Sequence, residues 1–159
     1  MLISKEFNHA INLQIGREME ASNQYLSIAA YFDGRHLKKL AELFFKQAAE
    51  ETDHALKFVH YILEAGGQLE IPALAAPKNT YATAEEAVSM AVKWETDVTK
   101  YIYELVEITE KEKDYIGREF LNWFVAEQLE EVSSMSTLLG VVQLTGDKNL
   151  IMVEGYLSH

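Results

Sequence analysis

Both prolines of this chain, Pro72 and Pro77, fall in one stretch, residues 68–82, that carries no helical period. On either side of it the apolar residues recur at steps of three and four over long spans, the pattern of one face of an α-helix. A proline inside a helix removes a hydrogen bond and clashes with the preceding turn. Confining both prolines to one connection leaves the chain free to build long unbroken helices before and after it. A long crossover also lets two antiparallel helix pairs join in a parallel sense, which is one way of closing a four-helix bundle. The expected fold is therefore all-α, with residues 1–159 forming a single domain.

The first helix is expected over residues 4–32, with Ser4 as N-cap and an inward stripe of Phe7, Ile11, Ile15, Glu18, Ser22, Tyr25, Ala29 and Phe32. Asp33-Gly34-Arg35 breaks it. The second helix is expected over residues 36–65, with Leu40, Leu43, Phe44, Ala48, Ala55, Phe58 and Ile62 inward, and Gly66-Gly67 stops it. Thr83-Ala84-Glu85-Glu86 reads as a capping box opening a third helix over residues 84–111, with Val88, Ala91, Glu95, Val98, Ile102 and Leu105 inward. A charged turn follows, and Glu110, Glu112, Asp114 and Glu119 around it are candidates for an acidic channel. The fourth helix spans residues 115–144, with Phe120, Phe124, Gln128, Glu131, Met135, Leu138 and Val142 on one side. Gly117 and Gly140 within it each cost about 1 kcal/mol relative to alanine. After Thr145-Gly146-Asp147, a short fifth helix over residues 148–157 carries Leu150, Ile151, Val153, Tyr156 and Leu157.

Composition removes several chemistries. The chain has no cysteine, which excludes disulfides, thiolate metal sites and cysteine nucleophiles. Its net charge of −11 argues against binding nucleic acid through phosphates and suits the attraction of cations. No apolar run approaches the roughly 20 residues of a membrane span, and no basic-then-apolar leader opens the chain, so the cytoplasm is the expected location.

The functional signal lies in carboxylates that interrupt apolar stripes. Glu51 and His54 continue the inward spacing of the second helix, and an ionised glutamate there is costly unless something pairs with it. Glu18 precedes Glu51 by 33 residues and His54 by 36; Glu95 precedes Gln128 by 33 and Glu131 by 36. Each half of the chain thus supplies an acidic residue on one helix and a pair three apart on the next. Glu-x-x-His pairs met by carboxylates from other helices are how ferritin-like bundles hold two metal ions, an example taken from known systems. Four carboxylates, Glu18, Glu51, Glu95 and Glu131, match the charge of two divalent ions. The oxygen-rich donor set with one imidazole accepts iron or manganese, with zinc as a competitor. Glu51 is the expected bridge. Tyr25, two turns beyond Glu18, is expected to bond a ligating carboxylate or to supply an electron, with a plain core tyrosine as the alternative. Glu50, Glu127 and Glu130 lie beside these ligands, as a third metal position or as a solvated acidic edge. His9, His36, His60 and His159 have no carboxylate partner at ligand spacing, and Met19, Met90, Met135 and Met152 read as packing residues.

On these residues the chain resembles the ferritins, specifically the haem-free bacterial and archaeal type. The resemblance spans nearly the whole chain and rests on Gly16-Arg17-Glu18 through Tyr25, Glu50-Glu51-Thr52-Asp53-His54, Lys93-Trp94-Glu95, and Trp123 through Glu131. It implies a ferroxidase centre with Glu18, Glu51 and His54 on the first iron and Glu51, Glu95 and Glu131 on the second. Gln128 would lie close by, and Glu50, Glu127, Glu130 and Glu131 would form a third iron site. It also implies a 24-subunit shell storing ferric mineral after Fe(II) oxidation by O2 or H2O2. The haem-ligating methionine of bacterioferritins would fall near Thr52, so no haem is expected. Rubrerythrins add a cysteine-rich iron domain that this chain lacks, and the mini-ferritins that coat DNA place their metal between subunits. Two other readings stay open on the ligands alone: a di-iron oxidase or peroxidase that stores nothing, and a structural bundle without metal.

Overall fold

The computed structural model describes residues 2–159. Helices α1 (Lys5–Gly34), α2 (Lys38–Glu64), α3 (Ala84–Glu112) and α4 (Tyr115–Thr145) are followed by a 3₁₀ turn (Asp147–Asn149) and by α5 (Ile151–Leu157), with no strand among the described residues. α1 lies along α2 and α3 along α4, and the two pairs meet chiefly where α1 faces α3. On the opposite side stacked aromatic rings fill the space between α2 and α4. Phe58 lies on Phe124 and Tyr61 on Phe120, each pair with ring centres 4.1 Å apart.

The helix starts follow local chemistry. Ser4 accepts from the Phe7 amide at 3.0 Å, and Thr83 accepts from Glu86 at 3.1 Å. The expected capping box closes differently, because the Glu86 carboxylate turns to the Ala82 amide at 2.7 Å and to Lys78 instead of returning to Thr83. Asp114 caps α4 through the Gly117 amide at 2.9 Å. A Cβ on Gly117 would come within 2.6 Å of the Asp114 carboxylate and 3.0 Å of Phe7, so this glycine serves the close approach of cap and neighbouring helix.

Helix α2 begins later than the expected residue 36. His36 has φ 63°, a left-handed conformation that cannot open a right-handed helix, and Leu37 offers no side-chain cap. The missing cap comes from α5: the two carboxylate oxygens of Glu154 accept from the Lys39 and Leu40 amides, each at 2.8 Å. Asp147 similarly takes the Ala84 amide at the start of α3 (2.9 Å) and pairs with Arg35 (3.1 Å). The C-terminal segment thus ties down the ends of three other helices.

The strap between α2 and α3 is held by amide side chains of α1. Asn8 bonds both the carbonyl and the amide of Gln68. Asn12 bonds the Gln68 carbonyl and the Glu70 amide, and Gln24 bonds the carbonyl and amide of Lys78. Between these points Pro72 packs against Gly16, where a Cβ would stand 2.5 Å from the proline ring.

The core divides in two. One apolar cluster gathers Tyr25, Phe32, Phe44, Ala91, Met135 and Val153; the other gathers Phe7, Ile15, Phe58, Ile102, Leu121 and Phe124. Phe120, expected inward, is half-buried against Phe58 and Tyr61, and Leu121 takes the fully buried position beside it. Leu43, also expected inward, is half-buried. Between the two clusters runs a layer of polar side chains.

Candidate metal centre

That layer is built from one turn of each long helix. Glu18 comes from α1, Glu51 and His54 from α2, Glu95 from α3, and Gln128 and Glu131 from α4, and each is between 1% and 5% exposed. Their helical spacing aims them into the bundle because they occupy core positions of otherwise apolar stripes.

Ligand atoms of Glu18, Glu51 and His54 lie within 4.8 Å of one another, as do those of Glu51, Glu95 and Glu131. Glu51 therefore belongs to both groups. His54 turns Nδ1 toward them, 3.4 Å from Glu51 Oε2 and 3.8 Å from Glu18 Oε2. Oε2 of Glu18 and Oε1 of Glu51 are buried with no hydrogen-bond partner. Buried carboxylate oxygens without donors are expensive, and a shared cation is the partner that this arrangement of oxygens and one nitrogen fits.

A third group joins His54, Glu127 and Glu131 within the same limit. Glu127 is half-buried. Among the described residues no such group contains Glu50, which is half-buried, or Glu130, which is exposed.

Several side chains hold the carboxylates in place. Tyr25, fully buried, donates its hydroxyl to Glu95 Oε1 at 2.5 Å. The Gln128 amide donates to Glu95 Oε2 at 3.2 Å and to Thr99 at 3.0 Å. Gln14 donates to Glu18 Oε1 at 3.1 Å, and Gln47 donates to Glu131 Oε2 at 2.7 Å. Sequence reasoning missed Gln14, Gln47 and Thr99. A signal was present for the first two: each glutamine stands one turn before a ligand, Gln14 before Glu18 and Gln47 before Glu51. Trp123 opens the motif that ends at Glu131; its ring meets that of His54 edge-on at 5.4 Å, with the Lys57 ammonium 3.4 Å from the indole.

Crowding splits the protonation states. Burial pushes Glu51 far above the ordinary carboxylate range, and the charge of Glu18 adds to it. Burial also raises Glu95, against the bond from Tyr25. Glu131 is pushed up to about 8 by burial and by the Glu95 charge, with Gln47 pulling the other way. Burial opposes ionisation of Glu18 too, but the adjacent His54 outweighs it and holds Glu18 below its usual value. Burial would depress His54, yet the adjacent Glu18 carboxylate raises it. Burial and the Glu95 charge keep Tyr25 protonated far past its usual range. Without a cation the layer thus favours charge on His54 and Glu18 and opposes it on Glu51, Glu95 and Glu131.

The residues named for an acidic channel make local contacts. Glu110 pairs with Arg118 at 3.1 Å, Glu112 accepts from Ser4 at 2.8 Å, Glu119 accepts from Asn122 at 3.0 Å, and Asp114 is the α4 cap. His9, His36, His60 and His159 are exposed.

A family model described as a ferritin-like domain matches residues 8–145. The chain is 36% identical over 156 residues to Ferritin BfrB of Mycolicibacterium smegmatis, covering 98% of this chain and 86% of that protein. It is 36% identical over 146 residues to a bacterial non-heme ferritin of Staphylococcus haemolyticus, covering 92% and 88%. Among solved structures, the open-pore ferritin of the hyperthermophilic archaeon Archaeoglobus fulgidus superposes with a TM-score of 0.94 at 34% identity, covering 99% of this chain and 97% of that one.

Proposed function

Because the chain belongs to the ferritin family, whose work is iron storage, we propose that it oxidises Fe(II) at the buried carboxylate layer and keeps the ferric product inside a shell of 24 copies. Fe(II) is the substrate. Glu18, Glu51 and His54 take one ion; Glu51, Glu95 and Glu131 take the other; Gln128 and Tyr25 orient Glu95. Two ions held side by side deliver one electron each to a single oxidant. With O2, two electrons and two protons give H2O2; with H2O2, the same two electrons and two protons give two waters. The raised carboxyls Glu51, Glu95 and Glu131 surrender protons as the cations enter, close to where the oxidant needs them. Product leaves past Glu131 and Glu127. The arrangement of the third group favours His54 as its nitrogen ligand, with Glu50 and Glu130 as acidic flanks on the way out. No haem has a part in this reading. No helix among the described residues is long and apolar enough to cross a membrane.

The observation that carries the proposal is the position of Glu51, common to two ligand groups and holding a buried oxygen without a donor. The test mixes metal-free protein with excess Fe(II) in air and follows ferric absorbance and particle size, beside a Glu51→Ala, His54→Ala variant. Fast oxidation in the parent, slow oxidation in the variant, and iron co-eluting with a large particle are expected. Fast oxidation without retained iron would instead identify a di-iron oxidase that does not store. Equal rates in both proteins would make the layer structural.

A further inference from the structure

Glu131 is claimed by two ligand groups, the inner one with Glu51 and Glu95 and the outer one with His54 and Glu127. A carboxylate free to rotate between them would serve neither reliably, since each geometry needs one oxygen aimed in a fixed direction. Gln47 supplies the restraint. It lies half-buried on α2, one turn before Glu51, and its amide reaches across to α4 to donate to Glu131 Oε2 at 2.7 Å. The bond occupies one carboxylate oxygen and leaves the other for a cation. The residue type matters: an amide donor carries no charge, so it orients Glu131 without displacing a metal, whereas a lysine at the same place would neutralise the carboxylate and compete with the ion. Gln14 makes the analogous bond to Glu18, but within one helix. The Gln47 bond joins two helices and acts on the carboxylate through which the inner and outer groups connect.

We propose that Gln47 is a positioning residue that fixes Glu131 for the second metal position and so governs passage between the inner and outer groups; this rests on the two-metal reading above. The test titrates the full-length metal-free protein with Co(II), reading visible absorbance for the first and second equivalents per chain. Gln47→Met, which keeps the length and removes the donor, is expected to leave the first equivalent unchanged and weaken the second about tenfold, the effect of losing a hydrogen bond to a charged group. Gln47→Ala, a favourable helix residue, is expected to read the same. In a Glu131→Ala background the Gln47 substitution is expected to change nothing further, because the acceptor oxygen has gone.

Weakening of both equivalents alike, or weakening that persists in the Glu131→Ala background, would show Gln47 acting through the fold and overturn the assignment. An unchanged second equivalent in both Gln47 variants would overturn it as well. If Glu131→Ala itself leaves the second equivalent intact, the two-metal reading fails first and the tether falls with it.

Discussion

Tyr25 donates its hydroxyl to Glu95 Oε1 across 2.5 Å, joining α1 to α3 inside a layer that water does not reach. The bond satisfies an oxygen that would otherwise be buried without a donor. Tyr25→Phe should therefore destabilise the metal-free protein by about 1–3 kcal/mol. A bound cation supplies the missing partner, so the same variant should lose less when loaded. Thermal unfolding of parent and variant, with and without Zn(II), measures both; an equal loss in the two states would mean that the hydroxyl does not serve Glu95.

Of the two groups that share Glu51, the one with Glu18 contains an imidazole, whereas Glu51, Glu95 and Glu131 offer oxygen alone. First-row divalent ions that accept nitrogen should bind the two positions unequally. Anaerobic Fe(II) titration is expected to resolve two affinities, with His54→Ala abolishing the tighter. Equal affinities would remove this asymmetry as an aid to turnover.

The raised carboxyls make the metal-free protein sensitive to alkali. A carboxyl whose folded pKa exceeds its unfolded value of 4.5 stabilises fully below that value, and the benefit disappears as pH rises through the folded pKa. For Glu131 the window runs from 4.5 to about 8, and Glu51 and Glu95 act in the same direction. His54, raised from 6.5, adds stability that is likewise lost on the alkaline side. Glu18 runs the other way, its contribution lost only as pH falls below 4.5. The metal-free melting temperature should accordingly decline between pH 5 and 8, by the equivalent of a few kcal/mol on the order expected for such shifts. Glu131→Gln should flatten the decline. Loading with Zn(II) near pH 7 should release protons, detectable with a weakly buffered indicator.

Glu154 is the only side-chain acceptor given to the first amides of α2 among the described residues. Glu154→Ala should cost about 1–2 kcal/mol, the range of a lost N-cap. Hydrogen exchange at Lys39 and Leu40 should rise well before exchange in the rest of α2. Unchanged protection there would show that the cap is idle.

The long helices were legible because their signal is local: apolar residues at helical spacing, Ser4 and Thr83 in front, prolines confined to one strap. The six polar residues of the central layer were legible because they break those stripes at matching intervals in both halves. What stayed hidden depends on contacts distant in sequence. Nothing near Leu37 announces that its helix is capped by Glu154, more than a hundred residues on. His36 stands outside its expected helix because it closes the turn after α1, donating its amide to the Asp33 carbonyl at 3.0 Å with φ 63°. Phe120 and Leu121 are adjacent, and helical spacing alone could not decide which would face the core until the aromatic stacks between α2 and α4 were in place. Gln14 and Gln47 were passed over because glutamine is usually a surface residue; only the carboxylates beside them give their burial a purpose.

Asn8 and Asn12 address the strap through its peptide groups, as Gln24 does at Lys78 while also reaching the Tyr81 hydroxyl. Bonds to peptide groups are indifferent to the side chains at 68, 70 and 78, so those positions can drift in sequence without loosening the strap from α1. What these three positions resist is proline, because their amides are spoken for. Pro72 and Pro77 stand where no amide is required, and by narrowing the unfolded ensemble they make the connection cheaper to order.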